Sequence, residues 1–426
     1  MDFYKDNLNI YNTRSVYYIR KTGERLGLKK EEIEAIVSPQ EVRIFRLSCK
    51  ILGKTVNFPG VMCLHNDARG PYKGGIRISN DVDIAETVEL ARLMTLKTAI
   101  SDIEFGGGKT GINVDWNYMY KLYNRRPIDI EFEKIVRLDI VEYFAQMYRD
   151  TFKNHIYIPA PDLGTGPEEM AFIYNETLDP ASVTGKPEGV HGWLPGRRES
   201  TGYGCAFITK KFLQECLNKD VQGATIAIQG FGNVGSYLAK YLYEDGAKII
   251  GITDLYGGVY DEKGINIPAL TEYVKKNGTI SGFSPNSLTN EDLFSLPVDV
   301  LIPAATGNVI NSKVAKKIKA KGIVEAANNP ITLDGMSVIE ERRIPVVPDI
   351  IANSGGVIAS MEEYSRSLSA LKTKKEEVFS IIEEKLQQGF ENSLKLSKEL
   401  NINMCESAIQ IAVERVYKAM KNRRYI

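Results

Sequence analysis

A glycine-rich turn between a β-rich run and a helical run constrains the fold of this chain more than any other feature. Residues 224–229 read ATIAIQ, which is typical of a buried strand, and GFGNVG follows at residues 230–235. The next residues predict a helix over 233–244 and a second strand over 248–253. A G-x-G-x-x-G run is weak evidence by itself, but between a strand and a helix it indicates a binding site for the pyrophosphate of a dinucleotide.

Several residues of this region have separate tasks in such a site. Gly230 makes the tight turn, Gly232 lets the main chain approach the pyrophosphate, and Gly235 lets the helix and the strand pack closely. The N–H groups at the start of the helix, including that of Val234, are donors for the phosphates. Asp254 ends the second strand, 24 residues after Gly230, where a carboxylate can bind the ribose 2′-hydroxyl.

The residues that follow Asp254 favour NAD over NADP. An NADP site usually places a lysine or arginine just beyond the second strand, where it meets the 2′-phosphate. Residues 255–260 read LYGGVY and contain no cation. We therefore predict NAD as the cofactor, while NADP stays open because a basic residue can fold in from elsewhere in the chain.

The rest of the pattern predicts an α/β fold. Strand-like runs at 298–304, 322–327 and 345–351 continue the alternation of strands and helices, which predicts a doubly wound, Rossmann-type parallel sheet. In the first half, apolar residues at spacings of three and four predict helices over 83–98 and 132–147.

Glycine and proline mark a boundary between two domains. They are dense in residues 158–204, so we place a Rossmann-type dinucleotide-binding domain at 191–358. Residues 1–190 then form a separate α/β domain. Residues 359–426 are predicted to be helices that pack back on the first domain or on a partner chain.

Composition excludes several classes of protein. The 426 residues are 43% hydrophobic, and Lys+Arg and Asp+Glu number 54 each, which argues against a nucleic-acid partner. No apolar run approaches the roughly 20 residues of a membrane helix. The first residues lack the apolar core of a signal peptide, so we expect no membrane partner and a cytoplasmic location. The five cysteines lie far apart, and no two of the three histidines have a metal-binding spacing, so we predict no metal site.

Three lysines and one aspartate lie where acid–base chemistry is plausible. Lys73 and Lys109 stand beside glycines, and Lys97 ends a predicted helix among apolar neighbours. Burial disfavours the ammonium ion and lowers the pKa of a lysine, which can then exchange protons or polarise a carbonyl. Asp162 lies on the rigid segment IPAPDLGTG. Taken singly, such residues are more often a surface lysine or a turn aspartate.

The GGGKT run at 106–110 is not predicted to be a phosphate-binding P-loop. That pattern needs a glycine five residues before Gly108, where this sequence has Ile103. We expect the glycines instead to let the main chain crowd a ligand while Lys109 points into a closed site.

At these residues the chain resembles the glutamate dehydrogenases of the glutamate/leucine/phenylalanine/valine dehydrogenase superfamily. Several independent motifs in the family's order make this a strong signal, which no single motif gives. The matching motifs are PYKGGIR (71–77), MTLKTA (94–99), GGGK (106–109), IPAPD (158–162), VTGKP (183–187), GRRESTG (196–202), GFGNVG (230–235) and NSGGV (353–357).

The resemblance implies roles in substrate binding and catalysis. Lys109 polarises the reacting carbonyl and its water, and Asp162 moves protons to and from the amine. Lys97 binds the α-carboxylate of the substrate. Lys73 and Ser360 bind the γ-carboxylate.

The resemblance also implies contacts with the cofactor, and here the sequence departs from the family in places. Thr201 and Asn233 contact the cofactor, and Asn353 lies beside the nicotinamide. Asn328 is a further cofactor residue, in a segment that reads EAAN where E-G-A-N is more usual. Residues 189–198 form a longer and bulkier loop than the family usually has, and its role stays open.

The implied reaction is the reversible conversion of L-glutamate, NAD⁺ and water to 2-oxoglutarate, ammonia and NADH. Lys73 favours glutamate, because a buried cation facing an apolar side chain is unpaired and costly. A branched-chain or aromatic amino-acid dehydrogenase remains an alternative. So does a catalytically silent regulatory relative, which we expect to lack Lys109 or Asp162. The resemblance implies that residues 1–190 are the domain for substrate binding and oligomerisation, and that the protein is a homohexamer with its fixed interfaces on this domain.

Overall fold

The computed structural model describes residues 10–369 and 371–426. Its strands are β1 (Glu41–Ile51), β2 (Lys54–Asn66), β3 (Tyr72–Ser79), β4 (Gly107–Asn113), β5 (Tyr157–Pro161), β6 (Thr225–Gln229), β7 (Lys248–Thr253), β8 (Gly258–Tyr260), β9 (Val300–Pro303), β10 (Gly322–Val324) and β11 (Val346–Val347). Its helices are α1 (Arg14–Arg25), α2 (Lys30–Val37), α3 (Ile84–Ile100), α4 (Trp116–Leu122), α5 (Ile130–Met147), α6 (Arg149–Lys153), α7 (Pro167–Thr177), α8 (Ser200–Leu217), α9 (Asn233–Glu244), α10 (Ile267–Asn277), α11 (Asn290–Phe294), α12 (Ser312–Ala315), α13 (Leu333–Glu341), α14 (Asp349–Ala352), α15 (Gly355–Ser369), α16 (Lys375–Leu400) and α17 (Met404–Asn422). Over these residues, no helix is long and apolar enough to cross a bilayer.

Two compact units make up the described chain. The first contains residues 10–197, 359–378 apart from 370, and 412–426, and the second contains residues 198–358 and 379–411. The α/β fold of two units is as predicted.

The division differs from the sequence prediction at the C-terminal helices, which were all assigned to the first domain. Residues 379–411 pack with the second unit, because Phe379 stacks on Tyr203 with ring centroids 3.8 Å apart. The lack of a side chain at Gly204 also permits this packing, since a Cβ there would lie 2.8 Å from the Leu386 side chain.

The first unit contains a mixed sheet of five strands in the order β1-β2-β4-β3-β5. β2 pairs antiparallel with β1 and β4, whereas β3 pairs parallel with β4 and β5. The parallel register places Lys73 opposite Ile158, and Ile76 opposite both Thr110 and Pro161. Residues from β3, β4 and the end of β5 therefore meet in one part of the sheet.

Both helices predicted in the first half are present, and an aspartate directly before each helix caps it. Asp83 caps α3 by accepting a hydrogen bond from the Glu86 N–H at 2.7 Å, and Asp129 caps α5 in the same way through Phe132. Nearly every residue of α3 is buried, including Lys97 in its last turn. A lysine that the fold buries this deeply is not an ordinary surface lysine.

The glycines before Lys109 crowd protein groups, which corrects the expectation that they crowd a ligand. A Cβ on Gly74 would overlap the carbonyl oxygen of Gly108, and one on Gly107 would overlap Thr95 of α3. The glycines thus let β3, β4 and α3 approach closely. Lys109 lies within strand β4, which agrees with the prediction that GGGKT is not a P-loop.

The second unit contains a six-stranded sheet in the order β11-β10-β9-β6-β7-β8. All neighbours are parallel except β8, which runs antiparallel to β7. The strand order reverses between β6 and β9, and ligands of such sheets bind at the carboxyl ends of the strands at this reversal. The predicted bounds of α9 and β7 agree with the structure. The last predicted strand, 345–351, is a strand only at Val346–Val347, and α14 begins at Asp349.

Candidate active site

An ion pair between Lys109 and Asp162 lies at the centre of the first unit's candidate site. The Lys109 Nζ contacts Asp162 Oδ2, and the lysine side chain is only 4% exposed. Lys109 belongs to β4, and Asp162 follows β5 directly. Gly75 of β3, the strand between them, leaves room for the aspartate, since a Cβ there would lie 2.7 Å from the Asp162 Cβ.

Arg77 holds Asp162 from the other side. Its Nε lies 3.2 Å from Asp162 Oδ1, and its Nη1 lies 2.5 Å from Glu86 Oε1. The Leu163 N–H also donates to Asp162 Oδ1 at 2.7 Å. These contacts fix the carboxylate in one orientation. Arg77 was not predicted as a site residue, although it ends the PYKGGIR motif.

Burial and the neighbouring charges set the protonation of the pair. Burial acts to raise the pKa of Asp162, but Lys109 and Arg77 lower it well below its usual range. Burial lowers the pKa of Lys109, and Asp162 offsets this only in part. The site therefore holds a stable carboxylate beside an amine that loses its proton more easily than a free lysine, which suits acid–base catalysis.

Lys73 is a second buried cation of this unit, 1% exposed in β3. Burial lowers its pKa well below the usual value, and the nearby Arg197 and Lys186 act in the same direction. Glu363 is the neighbour that opposes them. An amine in this position is poorly compensated by the protein, and an anionic ligand would supply the charge that is missing.

Arg197 connects this cluster to Ser360. Its Nη2 donates to the Ser360 hydroxyl at 3.0 Å, and its Nε lies 3.8 Å from Glu363 Oε2. Lys186 Nζ lies 2.9 Å from Glu363 Oε1. Sequence reasoning missed Arg197, Lys186 and Glu363, although the first two lie in GRRESTG and VTGKP. The role of the loop at 189–198 was left open by the sequence. In the structure this loop contains Arg197 and brings its guanidinium to Ser360.

The glycine turn in the second unit has the form that a pyrophosphate site needs. Gly230 has a φ of +103°, which favours glycine, and a Cβ on Gly235 would overlap the Gly230 carbonyl. A Cβ on Gly232 would meet nothing within 4 Å. No side chain caps the start of α9 at Gly232, so the first N–H groups of the helix remain suited to an anion. The residues present thus fit a dinucleotide.

Three further predicted cofactor residues lie in the same unit. Asn353 donates through Nδ2 to the Ala326 carbonyl and to Asn328 Oδ1, both at 3.1 Å, so the structure brings the two asparagines together. Thr201 lies half-buried in the first turn of α8. Their contacts with the cofactor stay predictions.

Asn233 and Asp254 have structural tasks in addition to their predicted ones. Asn233 donates to the Arg198 carbonyl at 3.0 Å. Asp254 Oδ1 accepts from the N–H groups of Tyr256 and Gly257 at 2.8 and 3.0 Å. Its Oδ2 accepts from the hydroxyl of Thr279 at 2.7 Å and the N–H of residue 280 at 2.9 Å. The carboxylate therefore holds its own loop together, and its contact with ribose stays a prediction.

Metal ligands are not gathered in the ranges that the structure describes. No group of three or more histidine, cysteine, aspartate or glutamate side chains is placed there to hold an ion. The five cysteines, which all lie in these ranges, form no disulfide: Cys49, Cys63, Cys205, Cys216 and Cys405.

Comparison with known proteins identifies the family. The family model described as glutamate/leucine/phenylalanine/valine dehydrogenase matches residues 192–424, and that of the dimerisation domain of the same dehydrogenases matches residues 39–179. The chain belongs to the glutamate/leucine/phenylalanine/valine dehydrogenase family. The resemblance drawn from the motifs is thereby confirmed.

Individual relatives cover nearly the whole chain. The NADP-specific glutamate dehydrogenase of Saccharolobus shibatae is 36% identical, over 98% of this chain and 97% of its own. A cryptic catabolic NAD-specific glutamate dehydrogenase of Bacillus subtilis is 33% identical, over 99% and 97%. The solved glutamate dehydrogenase of Peptoniphilus asaccharolyticus has 29% identity and a TM-score of 0.78, over 97% and 99%. A hetero-hexameric glutamate dehydrogenase from Thermus thermophilus has 25% identity and a TM-score of 0.88, over 98% of both chains.

Proposed function

We propose that this chain catalyses the reversible oxidative deamination of L-glutamate to 2-oxoglutarate and ammonia, with NAD(P) as the hydride carrier. The observation that carries the proposal is the ion pair between the buried Lys109 and the half-buried Asp162, in the same unit as the buried cation Lys73. The names of the relatives from Saccharolobus and Bacillus support glutamate as the substrate.

Lys109 and Asp162 divide the proton transfers of this reaction. Asp162 first takes a proton from the α-ammonium of the substrate, and hydride loss from the neutral amine then gives an iminium cation. Lys109, with its lowered pKa, takes a proton from water as the water oxygen bonds to that carbon. Asp162 returns its proton to the nitrogen, and its carboxylate then accepts the proton of the new hydroxyl as the carbonyl forms, the C–N bond breaks and ammonia leaves. Arg77 keeps the carboxylate in place throughout.

Two buried lysines and one half-buried arginine suit the two carboxylates of glutamate. Lys97 binds the α-carboxylate, and Lys73 binds the γ-carboxylate together with Ser360. Arg197 joins that subsite because it already donates to the Ser360 hydroxyl. An apolar side chain, as in leucine or phenylalanine, would leave the Lys73 cation without an anion, which disfavours a branched-chain or aromatic substrate.

The second unit would hold the cofactor, whose nicotinamide accepts the hydride from the substrate α-carbon. Gly230, Gly232 and Gly235 shape the pyrophosphate site, and the start of α9 donates N–H groups to it. Asn353 and Asn328 supply oriented amides for the nicotinamide end. NAD is favoured, and NADP is not excluded, since the relatives include enzymes specific for each.

A coupled absorbance assay tests the proposal. The purified chain is mixed with reduced cofactor, ammonium and a panel of 2-oxo acids, and oxidation of the nicotinamide is followed with NADH and with NADPH. We expect 2-oxoglutarate to react with a kcat/KM at least about 100-fold above branched-chain and aromatic 2-oxo acids. A preference for an apolar 2-oxo acid would contradict glutamate. A chain that binds these ligands without turnover would support the silent regulatory relative.

A homohexamer is the proposed assembly. The family model that matches residues 39–179 describes a dimerisation domain, and the Thermus neighbour is a hetero-hexamer. β1 is an 11-residue edge strand, and on it Ile44 is 52% exposed, so an apolar sheet edge is available to a second copy. Light scattering should give about six times the 47.6 kDa of one chain. A fully active monomer at micromolar concentration would contradict this.

We also propose that the protein works in the cytoplasm. Its five cysteines are free thiols, the state that a reducing compartment maintains. Cell fractionation with an antibody to the chain checks the location, and recovery outside the cell would contradict it.

A further inference from the structure

Glu363 is the acidic centre of the Lys73 cluster. It lies on α15, three residues after Ser360, so the two side chains share one face of the helix. Its side chain is 0% exposed. A carboxylate buried this completely is costly unless its oxygens are satisfied by donors.

Main-chain and side-chain donors satisfy Glu363. Oε2 accepts from the Gly185 N–H at 2.7 Å, and Oε1 accepts from the Lys186 N–H at 3.1 Å. The Lys186 ammonium lies 2.9 Å from Oε1, and the Arg197 Nε lies 3.8 Å from Oε2. Glu363 thus joins α15 to the VTGKP segment and to the guanidinium.

Lys186 has no donor left for a substrate. An ammonium has three N–H donors. Besides Glu363, the Lys186 Nζ donates to the Val183 carbonyl at 2.8 Å and to the Ser367 hydroxyl at 3.2 Å. Lys186 is therefore structural. The other polar groups of the cluster are Lys73, Arg197 and the Ser360 hydroxyl.

We propose that Glu363 is a positioning residue for the distal carboxylate of the substrate. Its negative charge faces the Arg197 guanidinium, which donates to the Ser360 hydroxyl, and lets three cations share one buried cluster. This inference rests on the proposed function, because the distal carboxylate is that of glutamate or 2-oxoglutarate.

The test compares Glu363→Gln with wild type in the full-length protein. The amide keeps the size of the side chain but removes its charge and one acceptor. We expect the KM for 2-oxoglutarate to rise roughly 10- to 100-fold, the effect of one hydrogen bond to a charged group, while kcat changes less than about threefold. The matched control is Glu362→Gln, which removes a neighbouring glutamate whose partner on the same helix is Arg366 at 3.7 Å. It should leave both constants near wild type.

The pH dependence of KM is a readout that a general loss of structure would not give. Lys73 is faced by Arg197, Lys186 and Lys109, all cationic, and by the Glu363 carboxylate, which opposes their effect on its pKa. Removing that charge lowers the pKa of Lys73 further. The amine then loses its proton at lower pH, so the rise in KM with pH should begin at lower pH in Glu363→Gln than in wild type.

A second variant covers the case in which Glu363→Gln does not fold. Arg197→Lys keeps the charge but cannot bridge Glu363 and Ser360, and it should raise the KM for 2-oxoglutarate in the same selective way. Parallel losses in kcat and KM, or an unshifted pH profile, would overturn the role of Glu363 while wild-type activity upholds the proposed function. A wild-type chain inactive on 2-oxoglutarate would overturn both.

Discussion

The candidate sites of the two units consist of different chemical groups. The first unit uses buried charged side chains, of which Lys73 and the Lys109–Asp162 pair are the clearest. The second uses the main chain of the turn at 230–235, together with neutral amides such as Asn353. Charges in a buried site depend strongly on one another, whereas a main-chain site depends on local backbone shape. Perturbing each unit should therefore give different kinds of failure.

The largest expected effect follows from removing one charge of the first unit. Lys109→Ala should lower kcat by about three orders of magnitude, because Lys109 accepts the proton of water in the proposed mechanism. Cofactor affinity, measured by quenching of protein fluorescence, should change little, since the turn at 230–235 is untouched. Near-normal turnover would remove Lys109 from the mechanism. Asp162→Asn is the companion variant and should keep glutamate binding while losing turnover.

A smaller effect is expected when the charge removed acts through Asp162. Arg77→Gln takes away a cation that lowers the pKa of Asp162, so that pKa should rise. Asp162 is active as the anion and gains a proton as pH falls through its pKa. The acid-side loss of kcat should thus begin at higher pH, with kcat reduced roughly tenfold near neutrality.

Arg77→Lys is the control for that experiment. It retains the positive charge near Asp162 but loses the fork that also reaches Glu86. Its pH profile should lie between those of wild type and Arg77→Gln. Identical profiles for all three proteins would show that Arg77 has no part in setting the protonation of Asp162.

Substitutions of two glycines test the main-chain site of the second unit. A Cβ on Gly232 meets no protein atom within 4 Å, so Gly232→Ala should fold normally but weaken cofactor binding roughly tenfold, or ~1.4 kcal/mol. Gly235→Ala overlaps the Gly230 carbonyl and should lower the melting temperature as well, at a cost of about 1–3 kcal/mol. Calorimetry and cofactor titration measure both effects. Equal stability of the two variants would contradict the packing role of Gly235.

The smallest expected effect concerns the choice of cofactor. Leu255 is 87% exposed, so Leu255→Arg should leave stability unchanged and improve kcat/KM for NADP relative to NAD by about threefold, as one exposed charge can. Adding Asp254→Ser should shift the preference further by removing a carboxylate that repels the 2′-phosphate. It also removes the four hydrogen bonds that hold the loop, so stability should fall. If the unmodified chain already prefers NADP, the argument from Asp254 is wrong.

The sequence predicts the main-chain site of the second unit more fully than the charged site of the first unit. The turn at 230–235 and helix α9 depend on neighbouring residues, and the helix appears with its predicted bounds. Lys109 and Asp162 were predicted as separate residues, and their pairing depends on β3 and its glycines. Glu363 gave no signal in the sequence, because a glutamate on a helix is ordinary until the fold buries it. Its proposed role depends on contacts with Lys186 and Arg197, which lie more than 150 residues earlier in the chain.

Because the nucleotide turn is made of main-chain groups, it tolerates amino-acid replacements differently from the charged site during evolution. Outside the three glycines of the turn, every residue except proline brings the same N–H group to the start of α9, so replacements at Asn233 or Val234 leave these donors intact. The charge of Lys73 has no such protection, since almost any replacement removes it. A lineage of such enzymes can therefore exchange one amino-acid substrate for another by single replacements while its cofactor chemistry persists.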